Sequence, residues 1–169
     1  MRLNRNILAA LLTPFAIALG VRPAFAAEPV SGAPVSAYVE PHITHAPYGN
    51  VKVVVPLTND DKGLQGMKLR NIANALKAGD AWHGTFDITL VLYGKGLTLV
   101  KNPDEDTRRQ LDMLRSRGVR IEVCNNSLIE QGIDYHTLYN VTDTDIVPSG
   151  FAEVGYLQAV RHYAVDPVN

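Results

Sequence analysis

The chain holds a single cysteine, Cys124, and its neighbours are of the kinds that do chemistry on a thiol. It ends the run Val119-Arg120-Ile121-Glu122-Val123 and leads directly into Asn125-Asn126-Ser127. Attack on sulfane sulfur or on an electrophile requires the thiolate, so a working cysteine needs donors or positive potential around its sulfur. The alternative is an inert core residue, because free cysteine is among the most buried residue types. Strand alternation places Glu122 on the same face as Cys124, and a carboxylate there raises a thiol pKa and argues against strong activation. The residues leave both readings open.

Other candidates are weaker. Gly94-Lys95-Gly96 follows an apolar run, as phosphate-binding turns do, but lacks the longer pattern of either nucleotide fingerprint. It reads as a tight turn, and no cofactor is implied. Lys95 would bring a positive charge to Cys124 if the two strands are neighbours. His42 and His45 have metal-like spacing but no third ligand, so no metal is expected. His83 and His136 fall in loops, where either can act as acid or base without any spacing to support it.

The elements that position these residues follow from periodicity. Val51 to Leu57 is a β-branched run that reads as a strand buried on both faces, with Pro56 near its end. Thr58-Asn59-Asp60-Asp61 offers helix caps, and Leu69, Ile72, Ala73 and Leu76 keep helical spacing until Gly79, the expected stop. Phe86 to Tyr93 is a second strand, Asp106 to Arg117 a second helix closed by Gly118, and Val119 to Cys124 a third strand. Ser127 to Glu130 has capping-box spacing and opens a short helix that Gly132 closes. Asp145 to Pro148 is a fourth strand. Gly150 to His162 is a helix with Phe151, Val154, Leu157 and Val160 along one side, and Tyr163 to Val165 a short last strand.

Strands alternating with helices predict an α/β domain: a doubly wound, mostly parallel sheet of about five strands with helices on both faces. Ligands of such sheets bind beyond the carboxyl ends of the strands. Those ends gather the candidate site: Cys124, with Asn59, Gly94, Lys95, Gly96, Asn125, Asn126, Ser149 and Gly150 as binding residues.

The N-terminus reads as an export signal over residues 1–26. Arg2 and Arg5 precede an apolar stretch from Ile7 to Val21, and Ala24-Phe25-Ala26 fits peptidase cleavage. The stretch is short of the roughly 20 residues that cross a bilayer and contains Pro14, so no membrane anchor is expected after signal removal. Residues 27–50, rich in Pro, Ala, Gly and Ser, read as a flexible leader, and 51–169 as the domain. Cleavage leaves 143 of 169 residues, with 13 basic against 17 acidic side chains, a net charge of −4. That balance, without a basic cluster, argues against nucleic acid and anionic membranes as partners. Export to the periplasm matters for Cys124, since an unpaired thiol in an oxidising compartment is either buried or kept for its reactivity.

Four segments carry a family likeness: Asn71-Ile72-Ala73-Asn74; Val91 to Gly96; Val123-Cys124-Asn125-Asn126-Ser127-Leu128; and Val147 to Glu153 with Leu157-Gln158. Together they resemble the DsrE/DsrF-like family, closest to its exported branch, over about residues 51–167. The resemblance implies homo- or hetero-oligomers and a persulfide carried on the cysteine after the third strand, the position of Cys124. It also implies a sulfur donor or acceptor protein as partner. One departure stands out: sulfur-relay members have alanines and arginine-glycine after the cysteine, where this chain has Asn125-Asn126-Ser127 and Gln131-Gly132. The expected function is therefore a periplasmic sulfur carrier or sulfurtransferase partner acting through Cys124. The competing reading is a non-catalytic ligand-binding or oligomeric assembly module of the same fold.

Overall fold

The computed structural model describes Tyr38 and residues 41–166, so the expected signal and most of the leader lie outside the described residues. Five parallel strands form one sheet: β1 (Asn50–Leu57), β2 (Thr85–Leu92), β3 (Arg120–Cys124), β4 (Ile146–Val147) and β5 (Ala164–Val165). Their order is β4-β3-β2-β1-β5. The chain steps outward from β1 to β4 and then returns across the sheet to lay β5 on the far side of β1.

Strand parity divides the sheet into two unequal faces. Val55 and Leu57 of β1, Ile88, Leu90 and Leu92 of β2, and Ile121 and Val123 of β3 all point one way. They pack against Leu69, Ile72 and Leu76 of α1 (Lys62–Ala81) and Leu111 and Leu114 of α2 (Glu105–Ser116). Leu128 of the short α3 (Asn125–Gln131) closes the same core near the strand ends. Leu90 and Leu114 are completely buried, and truncation of such a residue to alanine costs about 2–5 kcal/mol. The opposite face is thin. Among the described residues only α4 (Gly150–Ala159) crosses it, with Leu157 set on Val54, Val91 and Tyr163.

Several boundaries depart from expectation for physical reasons. Helix α1 starts on Asp61, whose carboxylate accepts the Leu64 N–H at 2.8 Å, but runs past Gly79 to Ala81. Gly79 is a packing residue, because a Cβ there would lie 2.8 Å from the Phe86 ring. Strand β1 is not buried on both faces throughout, since Lys52 and Pro56 on the α4 side are half-buried. In α4 the spacing of three carries the expected stripe off the buried side. Val154 and Leu157 face the sheet, while Phe151 is 78% and Val160 58% exposed.

Two polar clusters fix the margins. Lys68 of α1, buried, pairs with Asp166 at 2.5 Å just beyond β5. On the thin face Arg120 donates to Thr89 and Tyr163, and the Tyr163 hydroxyl donates to Asp87. His45 packs edge-on against Trp82, and Tyr48 covers Gly84, which draws the segment before β1 onto the end of α1.

Candidate functional site

The connections leaving β1 and β2 lead to α1 and α2 on one face, and the connection leaving β4 leads to α4 on the other. A crevice opens at the strand ends where neighbouring connections part in this way. Cys124 ends β3 beside that parting point, paired with Val147 of β4.

No loop separates Cys124 from its helix. Expectation placed the helix start at Ser127; instead Cys124 is itself the N-cap of α3, with extended backbone at φ −72° and ψ 117°. The shift of register brings Ser127 into the first turn, three residues after the cap, where it is buried. Gly132, at φ +60°, closes the helix as expected. The Ser127 hydroxyl accepts the Gly94 N–H at 2.8 Å, which leaves its single proton for the sulfur. Gln131 Nε2 donates to the Gly94 carbonyl at 2.7 Å, so α3 clamps the turn after β2 from both sides.

Burial pushes the Cys124 thiol up, and polar donors more than offset it. They are the Ser127 hydroxyl and the backbone N–H groups of Gly150, Ser127 and Asn126, and the net pKa is lowered. The side chain makes no formal cap hydrogen bond; these donors act as dipoles aimed at the anion. Net activation of the thiol therefore stands despite the carboxylate on its face, which the sequence weighs against strong activation. Glu122 does share the face of Cys124, yet it is its own proton affinity that changes, through burial, Glu153 and Asp145 against the pull of Arg120, to a pKa of about 7.

Gly150 has a second constraint. A Cβ there would lie 2.8 Å from Tyr93 Cβ, so only glycine lets the start of α4 come down beside the sulfur. Ser149 caps α4 by accepting the Ala152 N–H at 3.4 Å. Tyr93, half-buried, follows β2 next to Cys124; burial and the neighbouring thiolate both raise its hydroxyl pKa. The sulfur is occluded rather than remote: Cys124 is 4% exposed, but Asn126 and Phe151 on either side of it are open to solvent.

The structure thus brings Cys124, Asn126, Gly150 and the Gly94 turn together, with Ser149 supporting and Asn125 beginning α3. Lys95 falls outside. It pairs with Asp60 at 3.6 Å on the exposed surface and lends no charge to the thiol. Gly96 serves the backbone, because a Cβ there would sit 1.9 Å from the Leu57 carbonyl oxygen. Asn59 gives its carbonyl to Gln65 Nε2 at 2.8 Å, while its own Oδ1 is enclosed without a partner. Ser127 and Tyr93 complete the site but were not among the predicted residues. The signal for Ser127 was its place three residues after a cysteine at a strand end, legible once the helix is started at Asn125. Among the described residues no group of three or more His, Cys, Asp and Glu is placed to hold a metal ion.

A family model for the DsrE/DsrF-like family matches residues 52–165. The chain belongs to the DsrE/DsrF-like family. Solved structures share its fold. MTH1491 of Methanobacterium thermoautotrophicum, a protein of unknown function, is 23% identical with a TM-score of 0.60 over 69% of this chain and 97% of that one. BT1422 of Bacteroides thetaiotaomicron, also of unknown function, is 21% identical with a TM-score of 0.50, covering 68% and 91%. No curated protein matches the chain. In this DsrE-family domain the cysteine after the third strand and the donors around it are the chemically distinctive feature.

Proposed function

We propose that this DsrE-family protein is an exported sulfur carrier, or sulfurtransferase partner, that holds sulfane sulfur as a persulfide on Cys124. The observation that carries the reading is the convergence on one thiol of the Ser127 hydroxyl and the N–H groups of Gly150, Ser127 and Asn126, enough to lower its pKa against burial. In loading, the Cys124 thiolate attacks a sulfane sulfur of a polysulfide. A Cys–S bond to that sulfur forms, the adjoining S–S bond breaks, and the shortened polysulfide departs with the electron pair. In delivery, an acceptor thiolate attacks the outer sulfur and Cys124 leaves as thiolate. Neither step needs an outside oxidant or a bound metal. The same donors stabilise the anion before loading and after delivery, which suits a group that must both attack and leave.

Intact mass spectrometry tests it. The wild type should gain mass in steps of one sulfur on polysulfide treatment and lose it with reductant, and Cys124→Ser should gain none. Folded protein that resists both polysulfide and a small alkylating reagent removes the carrier reading. Export is part of the proposal, and protein from a periplasmic extract should begin at or near Ala27.

One observation favours assembly as well. No exposed residue of α4 is charged, and Phe151, Gly155, Tyr156 and Ala159 lie in a row open to water. A second copy of the chain fits that uncharged face better than solvent does. Light scattering should give a multiple of the monomer mass; a monomer at all concentrations overturns it.

A further inference from the structure

We infer that Glu122 is a positioning residue for Cys124: a carboxyl on the same row of β3 that takes up a proton as the thiol gives up its own, so that the pocket disfavours holding both charges at once. The inference rests on the reading of Cys124 as a reactive thiol.

The geometry comes from strand parity. Ile121 and Val123 point into the main core, so Arg120, Glu122 and Cys124 form a row on the α4 side. Two residues along a strand span about 6.6 Å, close enough for two charges to affect each other through protein. Glu122 Oε2 is enclosed and has no hydrogen-bond partner. Arg120, the cation in the row, is committed elsewhere, to Thr89, Asp87 and Tyr163. The groups facing Glu122 from other elements are acidic. Glu153 comes from the first turn of α4, and Asp145 from the turn before β4. Asp145 is already paired with Arg115 at 3.3 Å. Strand β2 sets Val91 beside Glu122 and is followed by Tyr93, whose hydroxyl is itself made harder to ionise.

An enclosed oxygen with no donor, among acids whose cations are engaged elsewhere, is a poor place for a second negative charge. Burial first, then Glu153, with Asp145 adding and Arg120 opposing, raise the Glu122 pKa to about 7. Near that pH, proton loss from Sγ and proton gain by the carboxylate balance, and the local charge is unchanged. Above it both groups tend to be ionised, and each disfavours the other's charge, so the two titrate as a coupled pair.

The test is the pH profile of iodoacetamide alkylation, from pH 5.5 to 10, for the full chain and for Glu122→Gln. The ratio of variant to wild-type rate should be near one at low pH and rise to roughly three- to tenfold around pH 8. It should fall back once the thiol is ionised in both proteins. Glu122→Asp, which keeps the charge, should stay close to wild type. A residue with only a structural role would shift the rate by one factor at every pH, and a flat ratio overturns the inference. The ¹³C resonance of the Glu122 carboxyl gives a second readout, since its midpoint should rise in wild type relative to Cys124→Ser if the thiolate disfavours the carboxylate; equal midpoints overturn it too. Sulfur uptake from polysulfide, measured on the same samples, separates the two readings. A peaked ratio without uptake ends the carrier reading and leaves Glu122 its role; uptake with a flat ratio does the reverse.

Discussion

Replacing Ser127 by alanine isolates the largest favourable influence on the thiol. The hydroxyl is buried, accepts the Gly94 N–H at 2.8 Å, and heads the donors that lower the Cys124 pKa. A hydrogen bond to a charged group contributes about 1.5–3 kcal/mol, and one pKa unit is about 1.4 kcal/mol. Ser127→Ala should therefore raise the thiol pKa by roughly 1–2 units. Well below that pKa, the thiolate fraction and the alkylation rate fall by roughly ten- to a hundredfold. The same change strips the Gly94 N–H of its acceptor, at a stability cost of about 1–3 kcal/mol. The assay is the iodoacetamide rate against pH, with a denaturant melt alongside. Gln131→Ala is the control, because Gln131 holds the same turn through the Gly94 carbonyl without serving the sulfur. It should loosen the turn and leave the thiol pKa in place. Equal pKa values in Ser127→Ala and wild type would refute the account of activation, and equal shifts in both variants would show that turn rigidity, not the hydroxyl, controls the thiol.

Gly96→Ala should prevent native folding or cost more than about 3 kcal/mol, since the added methyl meets the Leu57 carbonyl at 1.9 Å; circular dichroism and a denaturant melt decide. Lys95→Ala should leave both the thiol pKa and the stability within about 0.5 kcal/mol of wild type, because its partner Asp60 lies on the open surface. Glu122 makes stability depend on pH: its folded pKa of about 7 exceeds its ordinary value of 4.5, so the folded state binds the extra proton and stability is lost as pH rises through 7. The shift corresponds to about 3 kcal/mol, which solvent screening at this half-buried carboxyl reduces to about 1–2. Glu122→Gln should remove that loss between pH 5 and pH 8 in urea melts. Phe151→Glu, placing charge on the bare face of α4, should lower the mass seen by light scattering without changing the melt.

The alternation of strands and helices was legible because each element repeats a simple period. Val51 to Leu57 and Phe86 to Tyr93 read as strands and are strands to within a residue, and Asp104 caps α2 next to the expected start. Errors cluster where two local rules compete. Gly79 obeys the rule that glycine ends helices, but tertiary packing on Phe86 overrides it. Ser127 to Glu130 imitates a capping box, yet the cap lies three residues earlier, at Cys124, and the helix starts directly from the strand. That small error hid the serine donor and made the dipole at Cys124 look remote. The stripe Phe151, Val154, Leu157 and Val160 reads in the sequence as one side of the helix. A repeat of three turns 60° short of a full circle at each step, so only its middle stays on the sheet. No sequence rule could place the Gly150 N–H at the sulfur, since that contact joins two strand ends through an α4 that crosses the opposite face.

The two faces of the sheet divide the work. The α1–α2 side buries nearly all the large aliphatic side chains, so substitutions there act mainly on stability. The α4 side has four buried residues in its core cluster, yet Glu122 and Cys124 lie on it. One helix start performs two tasks there. Gly150 lets α4 approach close enough to supply an N–H to the sulfur, and the first turn carries Glu153 over Glu122. Any movement of α4, by mutation or by a second subunit settling on its uncharged face, therefore changes donor supply and carboxyl burial together. Lifting the helix would raise the thiol pKa through loss of the Gly150 donor and let the Glu122 pKa fall through hydration. The two shifts oppose thiolate formation in the same direction. On the proposed reading, association on α4 would in this way be coupled to sulfur chemistry at Cys124 by the position of one glycine.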